Sequence, residues 1–250
     1  MKLFRAKKRG ASSACSAERP IAYFCAEYGI TDELPIYSGG LGVLAGDIFQ
    51  EASERNHHFV AIGLFYQKGY FHQFVDCSGQ HESPQNIDPT KAPLALAVDD
   101  DGETVLLEVP LADRTIFVQI WRYQHAGHSL YLLDTNHWRN SEADRTITDQ
   151  LYAGDQDKRI EQEIVLGMGG FRLLERLSIC PGIYHMNEGH SAFLGLELLR
   201  SSLKAQNGNW ELAIKQVQKQ MVFTNHTLVP AGNDLFPNEK IGSYLGKIPI

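Results

Sequence analysis

The feature that most constrains the fold is the alternation of short apolar segments with amphipathic helical ones. Strand patterns at Ile21–Cys25 and Phe59–Phe65 flank a helical pattern at Leu41–Arg55, whose apolar side chains fall on one face. The alternation returns later, with a strand at Ile183–Met186, helices at Ser191–Leu203 and Trp210–Gln220, and a strand at Met221–Thr224. This order predicts an α/β fold with a Rossmann-like parallel sheet that helices cover on both faces.

Three closely spaced strand patterns between these segments predict antiparallel strands inserted into the main fold. They are Thr104–Val109, Thr115–Arg122 and Ser129–Leu133, with turns expected at Pro110 and at Ala126-Gly127. The segment 76–93 contains three prolines and is expected to be a loop.

A long helical pattern spans Lys158–Leu177 and contains Gly167, Gly169 and Gly170. Each glycine weakens a helix by about 1 kcal/mol relative to alanine. We therefore expect these positions to pack closely against another element.

Composition and charge exclude several classes of function. The chain has 250 residues and a net charge of −7, which disfavours nucleic acid as a partner because phosphate backbones attract basic surfaces. No apolar run reaches the roughly 18 residues of a membrane helix, so no membrane partner is expected. The four cysteines are scattered, which is typical of free thiols in a cytoplasmic protein. Residues 1–20 are expected to form a flexible leader, followed by one domain at 21–250.

A glycine-rich segment lies directly before the first helical pattern. Gly39, Gly40 and Gly42 allow a sharp turn and a close approach of the backbone to another group. The first amides of a helix have no internal partner and lie at the positive end of its dipole. This helix start therefore predicts an anion site, usually one for phosphate.

Residues 40–45 also fit the dinucleotide fingerprint G-x-G-x-x-A. That fingerprint requires its first glycine at the end of a strand and an acidic residue at the end of the next strand. Here a long connection containing Pro35 comes first, and Gln67 and Lys68 follow the second strand. The dinucleotide interpretation is disfavoured, and a P-loop is excluded because no Gly-Lys-Ser/Thr follows.

Polar side chains follow three of the predicted strands. They are Glu27 after the first strand, Asn187, Glu188 and His190 after the strand at 183–186, and His226 after the last strand. Because the carboxyl ends of parallel strands meet at one edge, we expect a site there that includes the glycine segment. Taken alone, Asn187 is a plausible helix cap. A zinc site at His185, His190 and His226 lacks H-E-x-x-H spacing and a cysteine ligand, so no metal is predicted.

Six segments occur in a fixed order along the chain. They are Ala22–Gly29, Leu34–Asp47, Gly69–Gln73, Leu151–Asp155, Asn187–Phe193 and Thr224–Thr227. Each is modest alone, but in this order they resemble the α-glucan phosphorylases of glycogen and maltodextrin, especially their shorter bacterial and archaeal branch.

The resemblance implies the N-terminal half of a two-domain GT-B glycosyltransferase fold, with the active site between the domains. The family cleaves α-1,4-glucan with orthophosphate to give glucose 1-phosphate, with retention. It keeps pyridoxal phosphate and uses the phosphate of this cofactor, not its aldehyde, to move the proton. The cofactor lysine belongs to a second domain that no segment here matches, so this chain alone is expected to be an inactive half.

The same resemblance implies roles for the glycine segment. Gly39, Gly40 and Leu41 are expected to face the cofactor and substrate phosphates, while Gly42 keeps the turn open. Glu27 is expected to be a buried carboxylate that supports this loop.

The resemblance also implies roles for the other strand ends. His226 is expected to contact the glucosyl hydroxymethyl group, with its carbonyl near the developing sugar cation. Asn187, Glu188 and His190 are expected to form the adjoining wall. The longer phosphorylases have Asp where this chain has Glu188, which leaves the role of Glu188 open.

Two other functions stay open. A nucleotide-sugar-dependent glucan synthase of the same fold would have Lys before its glycine pair, whereas this chain has Tyr37 and Ser38 there. The other is a non-catalytic fragment that only binds glucan. The oligomeric state is not predicted.

Overall fold

The computed structural model describes residues 19–70, 72–83, 85–152, 155–227 and 234–246. In chain order the strands are β1 (Ile21–Phe24), β2 (Phe59–Leu64), β3 (His72–Asp76), β4 (Gly79–Ser83), β5 (Ala95–Leu96), β6 (Leu106–Leu111), β7 (Arg114–His125), β8 (His128–Asp134), β9 (Ile183–Asn187) and β10 (Met221–Thr224). The helices are α1 (Gly40–Glu54), α2 (Glu142–Arg145), α3 (Gln156–Ile164), α4 (Gly170–Arg176), α5 (Leu194–Ala205), α6 (Trp210–Gln220) and α7 (Asn238–Leu245). Both α6 and β10 have the predicted bounds.

Some predicted features fall outside these ranges. The expected flexible leader at 1–20 does so except for Arg19 and Pro20, and so do Phe71, Ala153 and Gly154 of the family-like segments.

One sheet contains eight of the strands, in the order β10-β9-β1-β2-β8-β7-β5, with β6 also paired to β7. The five strands from β10 to β8 run parallel, which confirms the predicted parallel sheet. The strands β5, β6 and β7 pair antiparallel. At the other edge Phe223 of β10 is 53% exposed. Within the described ranges, helices therefore cover this edge strand less completely than predicted.

The predicted antiparallel strands are present but extend the main sheet, because β8 pairs parallel with β2 and antiparallel with β7. Ala126 and Gly127 form the β7–β8 turn as predicted, both with positive φ. The turn expected at Pro110 is not found there, since Pro110 lies within β6 opposite Thr115. An edge strand tolerates proline because it needs fewer amide donors.

Three short elements differ from the sequence prediction. The expected loop at 76–93 contains β4, which pairs with β3 in a separate hairpin. The hydrophobic periodicity of the sequence also does not predict the two-residue strand β5 or the one-turn helix α2, because polar or very short segments carry little periodicity.

The long helical pattern is divided by a π-helical turn at Val165–Gly169, between α3 and α4. A Cβ at Gly167 would lie 2.5 Å from the amide nitrogen of Leu194, and one at Gly170 would lie 2.5 Å from Cε1 of Phe24. These positions pack directly against the start of α5 and against β1, which confirms the predicted close approach.

Among the described residues, cysteine chemistry differs from the prediction at Cys180. Cys25 is a buried free thiol and Cys77 an exposed one, as expected. Cys180 is disulfide-bonded, so the prediction of free thiols throughout is wrong for this residue. Spacing along a sequence does not reveal which Cα atoms lie within the 4.4–6.8 Å or so that a disulfide requires.

The length and apolar character of the helices decide whether any of them can cross a membrane. In the part of the chain that the structure describes, no helix is long and apolar enough to cross a bilayer.

Candidate active site

The carboxyl ends of β1, β9 and β10 lie side by side next to the start of α1, as predicted. The order β10-β9-β1 places the residues after each strand at one edge of the sheet. Hydrogen bonds connect these segments to one another, so the strand ends and the glycine segment form one site.

Glu27 holds the glycine segment in place. Its side chain is buried, and Oε2 accepts the N–H of Ser38 at 2.5 Å and that of Gly39 at 3.3 Å. The other oxygen, Oε1, accepts the hydroxyl of Tyr152 at 2.8 Å. A buried carboxylate requires such donors. The predicted supporting position of Glu27 is therefore found, with Tyr152 as an additional partner.

The glycine segment has a packed side and an open side. A Cβ at Gly42 would overlap Tyr37 and lie 3.0 Å from Oε2 of Glu27. A Cβ at Gly39 or Gly40 would meet none of the described atoms within 4 Å. Only the open side has room for a ligand.

The start of α1 carries unused amide donors. Gly39 is the N-cap, no side chain in the described ranges caps this end, and the first turn has no acidic residue. The N–H groups of Gly40, Leu41 and Gly42 thus have no partner within the helix. Together with the helix dipole and the open side, they fit an anionic group such as phosphate.

His226 is held by two residues at the end of β9. Its Nε2 lies 2.9 Å from Oδ1 of Asn187, and its backbone N–H donates to Oε1 of Glu188 at 2.7 Å. The Asn187 amide is fixed in turn, with Nδ2 lying 3.4 Å from Sγ of Cys25. This amide orientation makes Nε2 of His226 a donor and leaves Nδ1 as the ring nitrogen that can accept a hydrogen bond.

Glu188 holds the backbone that follows β10 in place through hydrogen bonds. It is buried, with φ 67° and ψ 176°, a conformation that costs a non-glycine residue on the order of 1–3 kcal/mol. Besides His226, Oε1 accepts the N–H of Thr227 at 2.9 Å and its hydroxyl at 3.1 Å. Oε2 is buried without a partner among the described atoms. The hydrogen bonds that Glu188 accepts from His226 and Thr227 thus offset the backbone strain at Glu188.

Among the described contacts, His190 makes no side-chain hydrogen bond to Asn187, Glu188 or His226 and lines a small cavity instead. Its ring centroid is 5.8 Å from that of Tyr152, and its buried Nδ1 has no partner in the described ranges. Burial lowers the pKa of His190, which favours the neutral imidazole.

A small cavity beside His190 contains charged residues that sequence reasoning missed. Its polar lining includes Arg159, Glu163 and Asp234, and Arg159 pairs with Asp234 at 2.9 Å. Burial, and secondarily the Asp234 carboxylate, raise the pKa of Glu163 to about 8, against the opposing charge of Arg159. The sequence signal for these charged residues was the polar run Glu161–Glu163 inside a helical pattern. All three side chains of this run are buried.

We expect Glu163 to make the chain less stable as pH rises from about 4.5 to about 8. Its pKa in the fold lies above the ordinary value, so the folded state keeps a proton that the unfolded state has lost. The stabilisation is complete below the unfolded pKa and is lost through the folded one, with a slope approaching about 1.4 kcal/mol per pH unit.

Urea unfolding of the wild type and of Glu163→Gln across this range measures the effect. The difference between the two curves isolates the contribution of Glu163 from that of the other titratable groups. Parallel curves for the two proteins would contradict the prediction.

The fold and site define a class before any comparison with other proteins. A largely parallel α/β sheet whose carboxyl edge adjoins a helix start with free amide donors is the arrangement in which α/β proteins bind phosphorylated ligands.

Sequence comparison then identifies the family. The chain is 43% identical over 231 residues to maltodextrin phosphorylase of Thermococcus litoralis, an alignment covering 92% of the chain and 28% of that protein. It is 43% identical over 232 residues to a glycogen phosphorylase of Mycobacterium tuberculosis, covering 90% of the chain and 27% of the relative. For glycogen phosphorylase of Aquifex aeolicus the identity is 35%, covering 88% of the chain and 32% of the relative.

The chain belongs to this phosphorylase family and corresponds to a part of its members' length, between 27% and 32% in these three relatives. No protein-family model matches the chain.

Proposed function

We propose that this chain supplies one side of the active cleft of an α-glucan phosphorylase, as part of the first domain of a GT-B fold. The reaction is cleavage of α-1,4-glucan by orthophosphate to give glucose 1-phosphate. The observation that carries the proposal is one sheet edge that presents both an anion seat at the start of α1 and His226 fastened by Asn187 and Glu188. The family relationship supports the choice of substrates.

The state of the carboxylates supports phosphorolysis rather than hydrolysis. Glycosidases need a pair of carboxyl groups that reach the sugar from both sides. At this edge Glu27 and Glu188 are both buried and bound to backbone N–H groups. Glu27 and Glu188 therefore position the site, and in the proposed reaction the acid function falls to a phosphate group.

The glycine segment fits the phosphate of a substrate or of pyridoxal phosphate. Amide donors at Gly40, Leu41 and Gly42, with open space in front of Gly39 and Gly40, would hold such a group. Pyridoxal phosphate, when bound, supplies a phosphate that can exchange a proton with the substrate phosphate.

His226 would orient the sugar. Because Nε2 donates to Asn187, Nδ1 can accept a hydrogen bond from a glucosyl hydroxyl. Glu188 fixes the backbone of His226, so the carbonyl dipole of this segment is aligned before the substrate binds. Asn187 and Glu188 thus act through His226, and His190 packs against the ring of Tyr152.

The test is an assay of the protein that contains this chain, with maltodextrin and orthophosphate. We expect phosphate-dependent release of glucose 1-phosphate and no transfer of glucose from a nucleotide sugar. Transfer from a nucleotide sugar without phosphorolysis would favour a glucan synthase. Retention on amylose with neither activity would favour a fragment that only binds glucan.

We also propose a cytoplasmic location. Its sequence argument, free thiols, holds for Cys25 and Cys77 but not for Cys180. Cell fractionation with an antibody to the chain checks the location.

A further inference from the structure

We infer that Tyr152 is a positioning residue that sets the glycine segment for its anion by holding the Glu27 carboxylate. The inference rests on the proposed function, because it assumes that the segment receives a phosphate group. It adds a residue to which sequence reasoning assigned no role.

The geometry forms a continuous chain of hydrogen bonds. The Tyr152 hydroxyl donates to Oε1 of Glu27 at 2.8 Å, while Oε2 accepts the N–H of Ser38 and of Gly39. The Ser38 hydroxyl also lies 3.3 Å from Oε2. With both oxygens engaged, the carboxylate has one orientation. That orientation places Ser38 and Gly39 immediately before the amides that open α1.

The Tyr152 hydroxyl is a permanent donor. Burial, with the negative charge of Glu27 as a second cause, raises the pKa of Tyr152 far above physiological pH. The hydroxyl therefore keeps its proton at physiological pH. A serine or water would occupy this place less specifically, because neither is fixed by a packed ring.

The backbone at Tyr152 indicates that its side chain is needed where it is. Tyr152 has φ 55°, the left-handed region that non-glycine residues rarely adopt. The chain just before it is anchored, since Leu151 is buried and its N–H donates to the carbonyl of Gly69 at 3.0 Å. In this strained conformation the Tyr152 side chain contacts both Glu27 and the ring of His190.

Removing the hydroxyl leaves a buried carboxylate oxygen without a donor. The Glu27 carboxylate is then stabilised by turning toward other donors. This movement breaks its hydrogen bonds with the N–H groups of Ser38 and Gly39. A hydrogen bond to a charged group is worth more than a neutral one, so we expect about a tenfold loosening of the segment.

The first test measures amide hydrogen exchange of the full chain by NMR, for wild type and Tyr152→Phe. We expect exchange at Ser38 and Gly39 to accelerate about tenfold, with little change in the core strands. The matched control is Tyr244→Phe, which also deletes a hydroxyl that donates to a carboxylate, that of Asp157 at 3.0 Å. Unchanged exchange at Ser38 and Gly39 in Tyr152→Phe would overturn the inference.

The second test uses the phosphorylase reaction of the protein that contains this chain. We expect Tyr152→Phe to raise the KM for orthophosphate about tenfold while changing the KM for maltodextrin much less. A merely structural role would lower the amount of folded protein without this split. If the wild type releases no glucose 1-phosphate, the proposed function fails, whereas the exchange experiment still decides the role of Tyr152.

A double-mutant cycle with Glu27→Gln tests whether Tyr152 acts through Glu27. If Tyr152 acts through Glu27, the effects of Tyr152→Phe and Glu27→Gln on exchange at Gly39 should be strongly non-additive. Additive effects would show that the two residues act separately and would contradict the inference.

Discussion

Replacing His226 with alanine should lower the turnover of phosphorolysis by about 100-fold or more, the usual cost of losing one preorganised polar contact to a transition state. Among the described residues the ring makes one bond within the site, from Nε2 to Asn187 at 2.9 Å, which leaves Nδ1 for the bond that we propose it accepts from the sugar. Alanine removes that acceptor and the ring. The backbone bond to Glu188 at 2.7 Å stays, so the fold should be retained.

The measurement is kcat with saturating maltodextrin and orthophosphate, in the protein that contains this chain. The matched control is His81→Ala, because His81 lies on the β3–β4 hairpin, where its ring contacts Asp76 at 2.9 Å. We expect the control to keep normal turnover. If His226→Ala keeps more than about half of the turnover while both proteins are folded, His226 does not contact the reacting sugar.

Replacing Gly46 with alanine should lower the free energy of unfolding by about 3 kcal/mol, the upper part of the range for overpacking a core. A Cβ on Gly46 would overlap the carbonyl oxygen of Gly29 and lie 2.7 Å from its carbonyl carbon. Backbone cannot move aside as a side chain can. In addition, the N–H of Gly29 donates to the carbonyl of Gly42 at 2.8 Å, so displacement of α1 breaks a further bond.

Gly40→Ala is the matched control for this substitution. A Cβ there would meet no described atom within 4 Å, and alanine favours a helix by about 1 kcal/mol over glycine. Chemical denaturation should therefore separate two glycine-to-alanine changes on the same helix, one strongly destabilising and one neutral or stabilising. Similar losses for both would mean that the packing of α1 against Gly29 is not what requires Gly46.

Much of the fold and of the site edge could be predicted because the signals are local. The apolar runs at β1 and β2 and the helical periodicity of α6 reflect the faces that each element buries. Strand ends in a parallel sheet share an edge, so placing Glu27, Asn187 and His226 together needed only the strand assignments. The turn predicted at Pro110 was wrong because Pro110 lies within the edge strand β6, where proline is tolerated.

The details of the site could not be predicted in the same way. Nothing in the spacing of Glu27 and Tyr152 indicates a hydrogen bond between residues 125 positions apart. The same is true of Glu163 and Asp234, whose proximity raises the pKa of Glu163 only because both lie at one buried cavity. Such contacts depend on how segments that are distant in the sequence pack together in the fold.

The sequence alone determined the α/β alternation, the glycine-rich start of α1 and the sheet edge that carries the polar residues. Periodicity and backbone freedom are properties of neighbouring residues, so they can be read without a structure. Only the tertiary structure decided that Glu188 fastens the backbone of His226, that Asn187 fixes its ring, and that Tyr152 holds Glu27. The physical reason is that a hydrogen bond is made at about 3 Å and in one direction, and only the packed fold sets distances of that precision.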